Sequence, residues 1–216
     1  FFRLIAELDL NFQNVEKNCL KIIGKYKDNL DVISKERISS ELKRILLSVD
    51  PTISLECLEE AKIYKEFLGS FNKKRIKSLI FFEKKYKLYP ILERRVLSLN
   101  IKNPEYFLSK KEKKHCEVLK ESMVKMKKLK YLGFILGFEK ALDCLIINAV
   151  RNDLKITKQE LNFLKEGSKK IFPLTFSYIN KKLNNEVAAG EKLEYLKNIW
   201  LESDFKISEK KLIKYL

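Results

Sequence analysis

A single histidine in 216 residues leaves general acid–base chemistry with hardly a candidate, and His115 reads as an ordinary helix residue rather than a catalyst. Cysteine is scarce too. Cys19, Cys57, Cys116 and Cys144 stand apart with no C-x-x-C, each among apolar helical neighbours, which reads as buried reduced thiols in a cytoplasmic protein. His115-Cys116 is the only ligand-like pair, and one pair cannot close a tetrahedral metal site. Long apolar runs are missing. Leu79-Ile80-Phe81-Phe82 and Leu145-Ile146-Ile147 fall far short of the roughly 20 residues a membrane span requires, and no signal peptide is visible at the N-terminus. G-x-x-x-x-G-K-[ST], G-x-S-x-G and G-x-G-x-x-G are all absent. No stretch alternates apolar and polar residues as a half-buried strand does, and there is no internal repeat or low-complexity linker. The expected fold class is therefore all-α.

Charge is what the chain has in excess. Lys and Arg number 45 against 29 Asp and Glu, a net of +16, which implies acidic partners. Residues 1–50 hold 9 basic and 8 acidic groups, whereas 51–100 hold 11 and 6, so the imbalance begins after the first quarter. Only 7 of the 45 are Arg; with 14 Asn, the bias suggests an AT-rich coding sequence, which accounts for any one lysine but not for the net imbalance.

The chain is organised around Ile33 to Leu47, ISKERISSELKRILL, closed by Ser48-Val49-Asp50-Pro51. Ser34 suits an N-cap, Ile33 and Ile38 occupy staple positions, Glu36 lies in the first turn, and Arg37 and Glu41 are one turn apart. Ile38, Leu42, Ile45 and Leu46 form the apolar stripe. Before it, a helix over 14–26 is expected to bury Val15, Cys19, Ile22, Ile23 and Tyr26. After it, Asp50-Pro51 restarts a helix over 52–68 that Gly69-Ser70 ends. A helix over 73–87 would turn Ile76, Leu79, Ile80 and Phe82 inward and Lys73, Lys74, Arg75, Lys84 and Lys85 outward. Capping boxes at Ser109/Glu112 and Thr157/Glu160 open helices reaching about Met126 and Lys170. Gly137 suits a helix C-terminus that needs a left-handed residue.

The pattern I-S-x-E-R-I-x-x-E-L-x-x-L-L followed by D-P resembles the neck of the bacterial tRNA nucleotidyltransferases, the CCA-adding enzymes, and their poly(A) polymerase relatives. Phe107 to Glu112 is similar to that family's "L-x-L-S-N-x-E". Leu129 to Asp143 is similar to its "L-R-x-L-L-Y-x-x-G-x-x-x-A-L-D", and Ile171-Phe172-Pro173-Leu174 with Val187 to Phe205 to its "F-P-L … D-F" tail. The tail here lacks the family's glycine-rich loop: Phe176, Ser177-Tyr178-Ile179 and Asn184-Asn185-Glu186 stand there instead. The resemblance implies an elongated multi-helix array with a neck-like region at 1–69, a body-like region at 70–170 and a tail-like region at 171–216. It also implies that the catalytic head lies elsewhere. The family's Glu-Asp-x-x-Arg nucleotide template would precede Phe1, and its Asp-x-Asp metal-chelating pair follows a Gly-Ser. Gly69-Ser70 and Gly167-Ser168 have no such pair after them, and Glu7-Leu8-Asp9 on a helix would point its carboxylates apart. Mg, CTP and ATP would then bind a separate head, with no cofactor in this chain.

What remains is contact with RNA. The expected partner is tRNA, its acceptor and T arms held for 3′-end addition by a head that is upstream or separately encoded. The densest basic clusters are the candidate contacts: Lys73, Lys74 and Arg75; Lys110, Lys111 and Lys114; Lys127 and Lys128; Lys169 and Lys170; Lys181 and Lys182. Trp200 and Phe205 read as core of the last helices. The alternatives are a subunit of a split nucleotidyltransferase, a decayed remnant, and a helical scaffold for an acidic protein.

Overall fold

A computed structural model describes residues 17–26, 33–102, 104, 108–124 and 128–216. The expected features at Phe1 to Glu16, in the loop over 27–32, at Phe107 and at Lys125 to Lys127 lie outside the described residues; so does the side chain of Cys19. Among the described residues there are twelve helices and no strand: α1 Lys17–Lys25, α2 Lys35–Leu47, α3 Thr52–Glu60, α4 Tyr64–Phe67, α5 Lys73–Lys85, α6 Leu92–Leu99, α7 Lys110–Val124, α8 Leu129–Asn152, α9 Lys158–Ser168, α10 Phe176–Leu183, α11 Glu186–Glu202 and α12 Glu209–Ile213. None of these helices is long and apolar enough to cross a membrane. The chain forms two compact units, the first of residues 1–124 and 143–156, the second of 125–142 and 157–216.

In the first unit α2 forms as its sequence dictates. Ser34 Oγ accepts the Arg37 N–H at 3.3 Å, and Ile38, Leu42, Ile45 and Leu46 are buried. At the restart Pro51 is the N-cap residue, and Asp50 before it accepts at Oδ1 the Thr52 N–H at 3.2 Å and the Thr52 hydroxyl at 2.6 Å. The expected continuous helix over 52–68 is broken. Ala61 ends α3 and Lys62 turns to φ +58, a left-handed residue after which α4 starts afresh. The expected buried face of α1 is also corrected: Leu20 is buried, while Ile22 and Tyr26 are exposed. Gly24 gives the reason, since a Cβ there would lie 2.9 Å from the Ala61 carbonyl oxygen. The helix packs through the side bearing Leu20 and Gly24, one turn apart, so Ile22 and Tyr26 point away and Ile23 is half-buried.

Helix α6 has no counterpart among the expectations, and it carries the buried polar centre of this unit. Arg94 and Arg95 are 2% and 0% exposed, so each must find a full set of acceptors. Arg94 bonds Glu83 through Nε at 3.0 Å and Asp143 through Nη1 at 2.6 Å, and also donates to the Tyr89 carbonyl. Arg95 forks onto Glu83 and donates to the carbonyls of Leu46 at 2.6 Å, Ser48 at 2.5 Å and Val49 at 3.3 Å. The last turn of α2 and the stretch of loop behind it are thus closed by one guanidinium. Burial raises the Asp143 pKa, and the Arg94 charge only partly offsets it.

The second unit packs around Trp200, which meets Phe205, Phe172 and Phe134 edge-on at 4.8, 5.4 and 5.5 Å. Leu174, Ile179, Ala189, Leu196, Leu201 and Leu212 complete the core. Gly137 interrupts α8 with φ +74 and ψ 169, a conformation open in practice only to glycine. The expected helix end is there: two helical segments of α8 meet across a kink at this glycine. Both expected capping boxes are present: the Glu112 N–H donates to Ser109 Oγ at 3.3 Å and the Ser109 N–H to Glu112 Oε2 at 2.7 Å, with the same exchange between Thr157 and Glu160.

Candidate nucleic-acid interface

Helix α5 is the most basic helix face in the first unit, and its geometry follows from one turn per 3.6 residues. Ile76, Leu79, Ile80, Phe82 and Glu83 are buried. On the opposite side, at about 100° per residue, Lys73, Lys74, Lys77, Phe81, Lys84 and Lys85 fall within an arc of about 120°. All six are exposed. Lys77 and Phe81 were absent from the candidate residues because they do not adjoin another lysine; only the helical period brings them into the arc. Arg75 is corrected in the other direction. It falls outside the arc, is half-buried, and donates through Nη2 to the Arg151 carbonyl at 3.2 Å.

The arc is charged against the interest of the helix. Asn72 caps it, its Oδ1 accepting the Arg75 N–H at 3.0 Å, and the first turn then holds three cations and no acid. Cations at the positive end of a helix dipole cost about 0.3–1 kcal/mol each. By contrast, α2 and α9 carry Glu36 and Glu160 in their first turns. Three of the lysines are partly compensated: Lys73 pairs with Glu56 at 2.8 Å, Lys74 with Asp153, and Lys84 with Asp50 at 3.3 Å. Burial opposes ionisation of Asp50, but its bonds from Thr52 and Lys84 outweigh that and hold its pKa below the usual value. Such exposed pairs are worth about 0–1 kcal/mol each and exchange readily for a phosphate. Lys77 and Lys85 pair with no described acid; Lys85 Nζ lies 5.6 Å from the Phe81 ring centre and 5.3 Å from that of Tyr86.

The other candidate lysines are dispersed. Lys110, Lys111 and Lys114 are exposed on α7, beside Glu112, which Lys43 holds at 2.7 Å. Lys127 lies outside the described residues. Lys128 precedes α8, Lys169 and Lys170 follow α9 with Lys170 Nζ 5.8 Å from the Phe205 ring centre, and Lys181 and Lys182 close α10, where the helix dipole alone favours them. In the second unit Lys128, Lys130, Phe163, Glu202, Asp204 and Phe205 line a cleft of about 310 Å³. Glu166 and Asp204 grip Lys130 at 3.1 and 3.3 Å and raise its pKa, so the cleft's charges are internally balanced. Of the neck residues, Ser34 and Arg37 cap α2 through side chain and backbone, Glu36 is exposed, and Glu41 is half-buried.

The two Gly-Ser pairs of the sequence lie in packed backbone. Gly69 ends α4's segment at φ +90 against the Lys102 side chain, and Gly167 is buried inside α9, where a Cβ would lie 1.9 Å from the Lys130 carbonyl oxygen. Among the described residues no three His, Cys, Asp or Glu side chains converge on a metal position. His115, 41% exposed at its side chain, bonds Glu93 at 3.2 Å.

Comparison with known proteins agrees with the location of the organising helix. No curated protein and no solved structure matches the chain. Residues 13–74, which include α1 to α4 and the first two residues of α5, match the family described as "Probable RNA and SrmB- binding site of polymerase A", which supports, at a coarse level, the likeness to poly(A) polymerases and CCA-adding enzymes.

Proposed function

We propose that this chain binds folded RNA and serves as the tRNA-holding part of a CCA-adding or poly(A)-adding nucleotidyltransferase. The match of residues 13–74 to an RNA-binding site of polymerase A carries the reading. The net charge of +16 and the lysine arc of α5 supply the physical means. Lysine ammoniums neutralise phosphates without reading bases, so recognition is of shape and binding falls with salt. In this reading residues 1–69 act as neck, 70–170 as body and 171–216 as tail. They hold the acceptor and T arms while a head domain adds CTP and ATP with its own Mg. Hydroxyl-radical footprinting of bound tRNA tests the arrangement: protection confined to the acceptor and T arms is expected, and uniform protection or none would sink it.

The family description names SrmB beside RNA, which favours one second reading, a protein partner on the same segment. A protein partner displaced by tRNA would share the RNA surface; one that tRNA leaves in place occupies a different face.

A further inference from the structure

Within the RNA-binding reading, on which this step rests, we propose that Phe81 is a stacking platform for an unpaired base of single-stranded RNA, with Lys77 and Lys85 on the flanking phosphates. Phe81 is 58% exposed in the middle of a lysine arc whose helix buries every other apolar residue of its inner face. An aromatic ring so placed is what sequence-tolerant single-strand sites use: bases stack on the ring while cations follow the backbone.

The ring is held ready for this. Its edge-on contact with the buried Phe82, centres 5.5 Å apart, fixes its tilt, and Phe82 is itself stacked on Tyr86 at 6.2 Å. Lys77 and Lys85 lie one turn before and one turn after Phe81, about 12 Å apart along the helix; Lys85 Nζ stands over the ring, 5.6 Å from its centre, a contact that a stacking base would replace while the ammonium moves to the adjoining phosphate. The arc holds no acidic residue, so a cationic or neutral protein surface finds nothing to pair with, whereas a polyanion with exposed π-faces satisfies both groups at once. The cleft of the second unit lacks this combination, because Glu202 and Asp204 line it beside its lysines and Asp204 pairs with Lys130 at 3.3 Å.

The test uses the full 216-residue chain and fluorescence anisotropy with two probes, a single-stranded oligoribonucleotide and a blunt RNA duplex of equal phosphate count. Phe81→Ala is expected to weaken single-strand binding roughly tenfold, to leave the duplex unaffected, and to keep the salt slope. Phe81→Trp should restore single-strand binding. Lys77→Ala with Lys85→Ala should lower the single-strand salt slope by about 1.4 whatever the base sequence. Far-UV circular dichroism checks that the variants fold; an exposed ring on a capped helix is not a folding determinant. If the unaltered chain binds neither probe, the RNA-binding reading itself fails. If it binds both and Phe81→Ala changes neither, or changes both equally, only the platform is overturned. A Phe81→Ala variant that loses binding to phosphatidylserine vesicles while keeping single-strand binding would also overturn it.

Discussion

Replacing Arg95 with methionine removes one buried cation and leaves its acceptors behind. Glu83 loses its Nε and Nη2 bonds at 3.1 and 2.6 Å but keeps Arg94, so it is weakened rather than stranded. The Leu46 carbonyl at 2.6 Å has no such reserve: it ends a helix whose last turn is packed among buried leucine and isoleucine. Breaking a buried pair costs about 3–5 kcal/mol, here at the lower end, and a buried carbonyl left without a donor adds about 1 kcal/mol. A loss of about 4 kcal/mol is expected, equivalent to a fall of roughly 8–16 °C in melting temperature for a chain of this size. Arg95→Lys should fall between, since one ammonium cannot serve both the carboxylate and the carbonyls. Glu83→Met with Arg95→Met leaves Arg94 and Asp143 balanced and should recover part of the loss. Urea unfolding followed by far-UV circular dichroism reads all of these proteins. A cost under about 1 kcal/mol for Arg95→Met, or a double variant as unstable as the two single losses combined, would refute the claim that this guanidinium closes α2.

Other consequences are equally direct. Burial pushes the thiols of Cys57 and Cys116 up to about 11 and that of Cys144 to about 12. Peptide mapping after iodoacetamide treatment at neutral pH should therefore find these three labelled only in denaturant; their raised values contribute stability that is full below 9 and lost as the pH rises beyond it. Burial opposes ionisation of Glu112, but bonds from Lys43 and Ser109 prevail and lower its pKa. Its contribution is complete above the ordinary 4.5 and disappears as the pH falls below that, so Glu112→Gln should flatten acid unfolding in that range. Gly167→Ala drives a methyl to 1.9 Å from the Lys130 carbonyl oxygen and should cost about 1–3 kcal/mol, seen as earlier exposure of Trp200 fluorescence in urea. Gly190→Ala, with nothing within 4 Å, should instead stabilise α11 by about 0.5–1 kcal/mol.

What the sequence disclosed was local. Ser34, Ser109 and Thr157 announced their helices because donor and acceptor lie within three residues, and the stripe of α2 is buried as its period requires. What it hid depends on distant partners. Arg94 and Arg95 sit in Leu92-Glu93-Arg94-Arg95-Val96-Leu97, for which no local signal was read, and their partners Glu83, Asp143 and the α2 carbonyls come from 11 to 49 residues away. One signal was available: in a chain with 38 Lys and 7 Arg, two adjacent arginines mark positions where a planar fork is required. The face of α1 was misread because Gly24 contributes by absence. The α5 arc was only half legible, since runs of adjacent lysines catch the eye and Lys77, Phe81 and Lys85 are related only by the helical period.

A lysine grip on RNA phosphates is read out by equilibrium binding of labelled tRNA across a series of salt concentrations. With about five phosphates neutralised, the logarithm of the affinity should fall linearly with the logarithm of salt, with a slope of roughly −4. No binding at low salt, or an affinity that salt leaves unchanged, would contradict it.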